Sequence, residues 1–346
     1  MATSSTTKRA LIALLALASV AAAGLGSYVL HMRRSLPAAR AGPAPGLLGQ
    51  LPPDAPAIAY VDVAALRRLP NSPLAVILGL TQPNASEDRD YATFVRNTGF
   101  DYTRDLDRAA IAFWPGTPAS ATGDERLVVI ADGRFDEQKI KAYALRSGTA
   151  IPRETRPLYR VPGNPPVSFE FLSTTRIALA SGKDAEGLLT VASPPVRALG
   201  VQRRIDRVAG APIFAVARTD NLPDNFYANF GNATRLEHLA RSVEGLALAG
   251  QPEGDRIELA LDGECDSIKD ALELATLLEF SRVGASIAIR NPQMRRRMTP
   301  EQVAFLEQVI HQLQVNHQDR WVRLRLDITP QMLGTGPLVP SPKTTP

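Results

Sequence analysis

The sequence is poor in the residues that usually carry chemistry. It holds one cysteine, Cys265, and four histidines, His31, His238, His311 and His317. A single thiol excludes an intramolecular disulfide and a cysteine-based metal cluster. The neighbouring Glu264 and Asp266 disfavour a reactive thiolate. His311 and His317 fall on different sides of any helix that spans both, and no pair of histidines has ligand spacing, so no metal is expected. G-x-S-x-G, G-x-x-x-x-G-K-[ST], H-E-x-x-H and C-x-x-C are all missing. Their absence removes the local signatures of nucleophile elbows, phosphate loops, zinc proteases and dithiol redox sites. The sequence therefore assigns no catalytic, cofactor-binding or metal residue, and no cofactor.

Lysine is scarce too: 33 of the 39 basic residues are Arg, a bias that reads as a GC-rich bacterial coding sequence rather than as function. The formal charge of +4 is local, because residues 1–40 hold Lys8, Arg9, Arg33, Arg34 and Arg40 and no acid. The remainder is close to neutral, so its charge predicts no nucleic-acid partner.

What is present begins with Ala10–Leu30, 21 residues without a charge. As a helix it would be ~31 Å long, close to a bilayer core. A cleaved signal peptide could use the small residues of "SVAAA". The apolar run continues through Tyr28, Val29 and Leu30, which favours a retained anchor. The expected layout is a single-pass cell-membrane protein with its body on the periplasmic side. Residues 1–34 form the tail and anchor, 35–54 a Pro-rich spacer, and 334–346 a disordered tail.

Two stretches, "ERLVVIADGRFDEQKIKA" (125–142) and "DRIELALDGECDSIKDAL" (255–272), match at a constant offset through Asp132-Gly133 and Asp262-Gly263, then Asp136 and Asp266. Each reads as a strand leaving through a glycine that tolerates positive φ, followed by an Asp that N-caps a helix. The strand "APAIAYVD" (55–62) has an echo in "APIFAVAR" (211–218). These matches predict an α+β fold of two similar units, 55–195 and 207–330, with mainly antiparallel sheets. One sheet would bury Ile58, Val61, Ile111, Val129 and Ile130, the other Phe214, Val216, Leu246, Leu248 and Leu259. Period-2 alternation in "RIELALD" predicts Ile257, Leu259 and Leu261 on the covered face and Glu258 outward. The alternating strand 320–327 likewise predicts one wet face. Helices are expected near 91–98, 137–146, 184–192, 267–281 and 300–313, the last with Val303, Leu306, Val309, Ile310 and Leu313 on one side.

Two charged segments remain. "GFDYTRDLDRAAIAF" (99–113) holds Asp101, Asp105 and Asp107 among Arg104 and Arg108. It is either a connection neutralised by its own arginines or a carboxylate pair for acid–base work. "MRRRM" (294–298) is a solvated loop or a patch for anionic lipid.

The segment "LPPDAPAIAYVDVAALRRLPNSPLA", followed by "FDYTRDLDRAAIAF", resembles exported or membrane-anchored bacterial proteins of unknown function. They share the Leu-Pro-x-Asp-Ala-Pro opening, the apolar strand after it and the later Asp-Gly strand ends. The resemblance implies an envelope location and a duplicated α+β body, and it carries no catalytic residue over. The expected function is a non-enzymatic envelope protein, attached to the membrane through residues 10–30, that binds a protein partner, a lipid or an apolar ligand. The alternative is an envelope hydrolase whose site assembles near Asp101–Asp107.

Overall fold

The computed structural model describes residues 45–69, 89–115, 125–163, 165–182, 184–190, 198–221, 234–254, 256–296, 300–329 and 332. The expected anchor at 10–30 and the tail at 334–346 lie outside them, as does the first half of the spacer.

In chain order the elements are α1 (Pro45–Leu48), β1 (Ala57–Asp62), α2 (Val63–Arg67), α3 (Arg89–Thr98), α4 (Tyr102–Asp105), β2 (Leu106–Trp114) and β3 (Arg126–Gly133). Then come α5 (Glu137–Ala144), β4 (Thr149–Ile151), β5 (Leu158–Val161), β6 (Val167–Ser173), β7 (Arg176–Ser181), α6 (Leu199–Val208), β8 (Ile213–Arg218) and α7 (Thr234–Arg241). The last are β9 (Val243–Glu253), β10 (Arg256–Cys265), α8 (Ile268–Ala288), α9 (Pro292–Arg295), α10 (Pro300–Gln312), β11 (Gln314–Gln318) and β12 (Trp321–Ile328). The expected helix at 184–192 is a shorter 3₁₀ segment, Ala185–Thr190.

In place of two sheets, the described strands form one of twelve, in the order β11-β12-β10-β9-β8-β1-β2-β3-β7-β6-β5-β4. Every pairing is antiparallel. The join is β1 against β8, with Ala59 opposite Ala215 and the rings of Tyr60 and Phe214 stacked at 5.2 Å. Both strands are apolar on both faces, so each can lie inside a sheet covered on both sides.

The core accordingly divides by sheet face rather than by unit. Val61, Ile111, Val129 and Leu259 pack on one face with Ile140 of α5 and Val309 of α10. Ile58, Ile130, Phe214 and Val216 pack on the other with Val201, Ile205 and Val208 of α6. Leu246 belongs to a smaller cluster beneath α8. The expected grouping failed because neighbours such as Val129 and Ile130 point to opposite faces of a strand. The second half of the expected spacer packs on the sheet. Pro45 opens a helical turn, where its missing N–H costs nothing, and Leu47, Leu48 and Leu51 are buried in the second-face cluster.

The repeated joint differs from its reading in two ways. Gly133 and Gly263 lie inside β3 and β10, and neither has a positive φ. At the second joint the cap is Ser267, not Asp266. Its hydroxyl accepts from the Asp270 amide at 3.1 Å and donates to Oδ2 of Asp270 at 2.6 Å. Asp266 instead donates its backbone N–H to Ser242. Asp136 caps α5 as expected, accepting from the Lys139 amide at 3.1 Å. In chemical denaturation, Asp136→Ala and Ser267→Ala should each cost ~0.5–2 kcal/mol. Asp266→Ala should cost markedly less.

Candidate functional site

The acid-rich segment resolves into a tightly bonded turn. Asp101 caps α4. Its Oδ1 accepts from the Thr103 amide at 2.9 Å, the Thr103 hydroxyl at 2.7 Å and the Tyr91 hydroxyl at 3.0 Å. Asp105 is buried and accepts from the Asp101 amide and from Arg104. Burial pushes its carboxyl up, but the Arg104, backbone and Arg134 hydrogen bonds outweigh this and leave it below the usual range. Asp107 pairs with Arg67 at 2.8 Å. These carboxylates are held by donors that fix the turn, and Asp105 is held in its ionised form, the wrong state for a general acid.

The charge that sequence reading placed outward lies on the second face of the sheet. β10 carries Glu258, Asp262 and Glu264 there, with 1–2% of each residue exposed. Arg323 of β12 sits directly across from Asp262 and donates to both its oxygens at 2.6 Å. Arg207 of α6 reaches Asp262 at 2.9 Å and lies 4.5 Å from the centre of the Trp321 ring. Glu264 accepts from Arg203 and pairs with buried Arg204 at 3.0 Å. Burial pulls the Arg204 pKa down, against the raising effect of Glu264 and Glu244. Glu258 pairs with Arg325. Glu258, which alternation assigned to water, is therefore buried and paired by β12, Asp262 and Glu264 are paired by α6 and β12 as well, and on the expected wet face of β12 Arg325 is buried and Arg323 half-buried. On β3, Asp132 occupies the corresponding place. Arg176 of β7 lies across from it and donates at 2.6 and 3.0 Å, with Arg108 adding a third bond at 3.0 Å.

An open cleft of about 580 Å³ lies beside the start of α6, lined by Arg204, Arg218, Thr219, Asp220, Arg241 and Glu244 among others. Its carboxylates are engaged, Asp220 by Arg218 at 3.1 Å and Glu244 by Arg320 at 2.9 Å. Among the described residues no group of His, Cys, Asp and Glu is arranged to hold a metal ion. His238, His311 and His317 are exposed. Cys265 is fully buried, and burial, reinforced by Asp270 and Asp266, pushes its thiol up to about 12. It should resist a thiol reagent at pH 8 in the native protein and react at once in denaturant. Fast native labelling would contradict that burial.

The feature that sequence reading missed is the outer face of α8. Ala271, Leu274 and Ala275 turn inward, yet Ile268, Leu272, Phe280, Val283 and Ile287 are exposed, Phe280 by 75% and Ile287 by 67%. At 100° per residue these five fall within about one third of the helix circumference. The signal was available: "ALELATLLEFSRVGASIA" has more apolar positions than one buried stripe can use. Among the described residues no helix is long and apolar enough to cross a membrane.

No family model matches the chain, and no curated protein matches it. Among solved structures it is similar to crystal form III of TP0453, at 12% identity and a TM-score of 0.47, over 84% of this chain and 96% of that one. It is similar to crystal form IV of TP0453 at 10% identity and a TM-score of 0.46, over 84% and 95% of the two chains.

Proposed function

We propose that this is a non-enzymatic bacterial envelope protein, held at the membrane by residues 10–30 with its body on the periplasmic side, that works by binding through the exposed face of α8. The observation that carries the reading is the run of five large apolar side chains left open along one helix. An exposed apolar stripe of that kind marks an interaction surface. The paired state of the acids in 99–107 and on β10 supports a structural rather than a catalytic role for them.

The body is proposed to consist of two similar units, 55–195 and 207–330. Three observations support this. The strand order runs outward from the β1–β8 join as β1-β2-β3-β7 on one side and β8-β9-β10-β12 on the other. Ala59 and Ala215, matched positions of the two echoing strands, face each other. Asp132 and Asp262 each meet an Arg of the next strand bidentately.

A photo-crosslinking residue at Phe280 of the full chain, expressed in cells, tests the reading. Adducts should form there and not at exposed Asp319 on the β11–β12 turn. Equal yields at the two positions would remove α8 as the binding face. Intact mass of the membrane-extracted protein tests the tether, and a mature terminus near Gly24 would remove it.

A further inference from the structure

We propose that the exposed face of α8 rests on an anionic lipid surface, with Phe280, Val283 and Ile287 among the acyl chains and the arginines beyond the helix at the headgroups. This rests on α8 being the binding face and names what covers it.

The first argument is charge. The exposed positions of α8 include no carboxylate, and Lys269 is the one charged residue among them. Asp270 and Glu273 are half-buried, and half-buried Glu279 is paired with Arg282 at 2.6 Å. The exposed hydroxyls are turned back on the helix, Thr276 donating to the Leu272 carbonyl at 2.7 Å and Ser281 to the Leu277 carbonyl at 2.8 Å. The Thr276 proton is thus satisfied without water, and the Glu279 carboxylate on the same side of the helix has its charge met by Arg282. Beyond the helix, exposed Arg290 and Arg296 and the Glu307-paired Arg295 gather at the end where the apolar residues are densest. An apolar stripe bordered by cations at one end is the arrangement of a helix that lies in an interface with anionic headgroups.

The second argument is size. A helix of 21 residues is ~31 Å long, and one face ~10 Å wide covers about 300 Å². A standard protein interface takes about 800 Å² from each partner. The face is too small to hold a second copy by itself. A lipid surface needs no minimum area when a tether already holds the body beside it.

The test uses the full chain reconstituted into phosphatidylcholine vesicles with and without one third phosphatidylglycerol, carrying Phe280→Trp, read against the parent with its native Trp114 and Trp321. The two quenchers are bromine on the acyl chains and acrylamide in the water. The expected result is bromine quenching of the added Trp in the anionic vesicles, lost without phosphatidylglycerol. Adding Arg290→Gln and Arg296→Gln should weaken docking roughly 30-fold, with the emission of the native tryptophans unchanged. A Trp shielded from both bromine and acrylamide would overturn the lipid as occupant and leave α8 as a protein-binding face. A Trp quenched by acrylamide and not by bromine in anionic vesicles would overturn the lipid and count against any occupant of the face.

Discussion

Glu264→Ala should lower the unfolding free energy by ~3–5 kcal/mol, the scale for removing one partner of a buried ion pair. The side chains of Glu264 and Arg204 are 3% and 5% exposed and sit 3.0 Å apart. With Glu264 gone, the nearest remaining carboxylate to Arg204 is Glu244 at 4.0 Å. Arg204 is packed close over Gly245, where a Cβ on that glycine would fall 2.2 Å from Cζ. Arg203 and Arg320, the other partners of Glu264, are 52% and 39% exposed and can return to water, so the loss concentrates on Arg204. Replacing both partners by apolar residues, Arg204→Met with Glu264→Leu, should restore most of the stability, since the charge left stranded is the main cost. Urea titrations of the two variants decide it. A single variant that loses less than the double would show that Arg204 finds water or another anion.

This network also shows where the sequence stops being legible. The strands β1, β3, β8, β10 and β12 were readable because apolar runs and period-2 alternation are local signals. The β1–β8 join was not, because it pairs residues far apart in sequence and neither strand announces its partner. Glu258, Asp262 and Glu264 alternate with apolar residues, and alternation cannot tell a wet face from one covered by arginines. The covering helix was detectable in principle. Val201, Ile205 and Val208 recur at i, i+4 and i+7, and Arg203 and Arg207 sit four apart on its flank. The exposed face of α8 escaped for the opposite reason. Its apolar residues looked like core, and exposure is a property of what the rest of the chain leaves uncovered.

The Asp-Gly pair makes a sharper test, because the two glycines match in sequence and differ in surroundings. Gly133→Ala should cost ~1–3 kcal/mol, the range for forcing extra volume into a packed site. A Cβ there would lie 2.5 Å from the Asp105 carbonyl oxygen and 3.3 Å from the Leu106 Cα, and both are backbone. That backbone is tied down: the Arg134 amide donates to the same carbonyl at 2.8 Å, and the Gly133 amide donates to Thr175 at 3.0 Å. Relief would have to come from moving α4 away from β3. At Gly263 the nearest atom to a new Cβ is Val243 Cγ1 at 3.4 Å, an ordinary contact with a side chain. Neither glycine has a positive φ, so Gly263→Ala meets no backbone penalty and gains up to ~1 kcal/mol by restricting the unfolded chain. Side by side in thermal melts, Gly133→Ala should fall well below the parent and Gly263→Ala should match or exceed it. Equal losses at both would mean that the glycines serve backbone conformation after all, as their shared sequence first suggested, and that the close approach of Asp105 is not what selects Gly133.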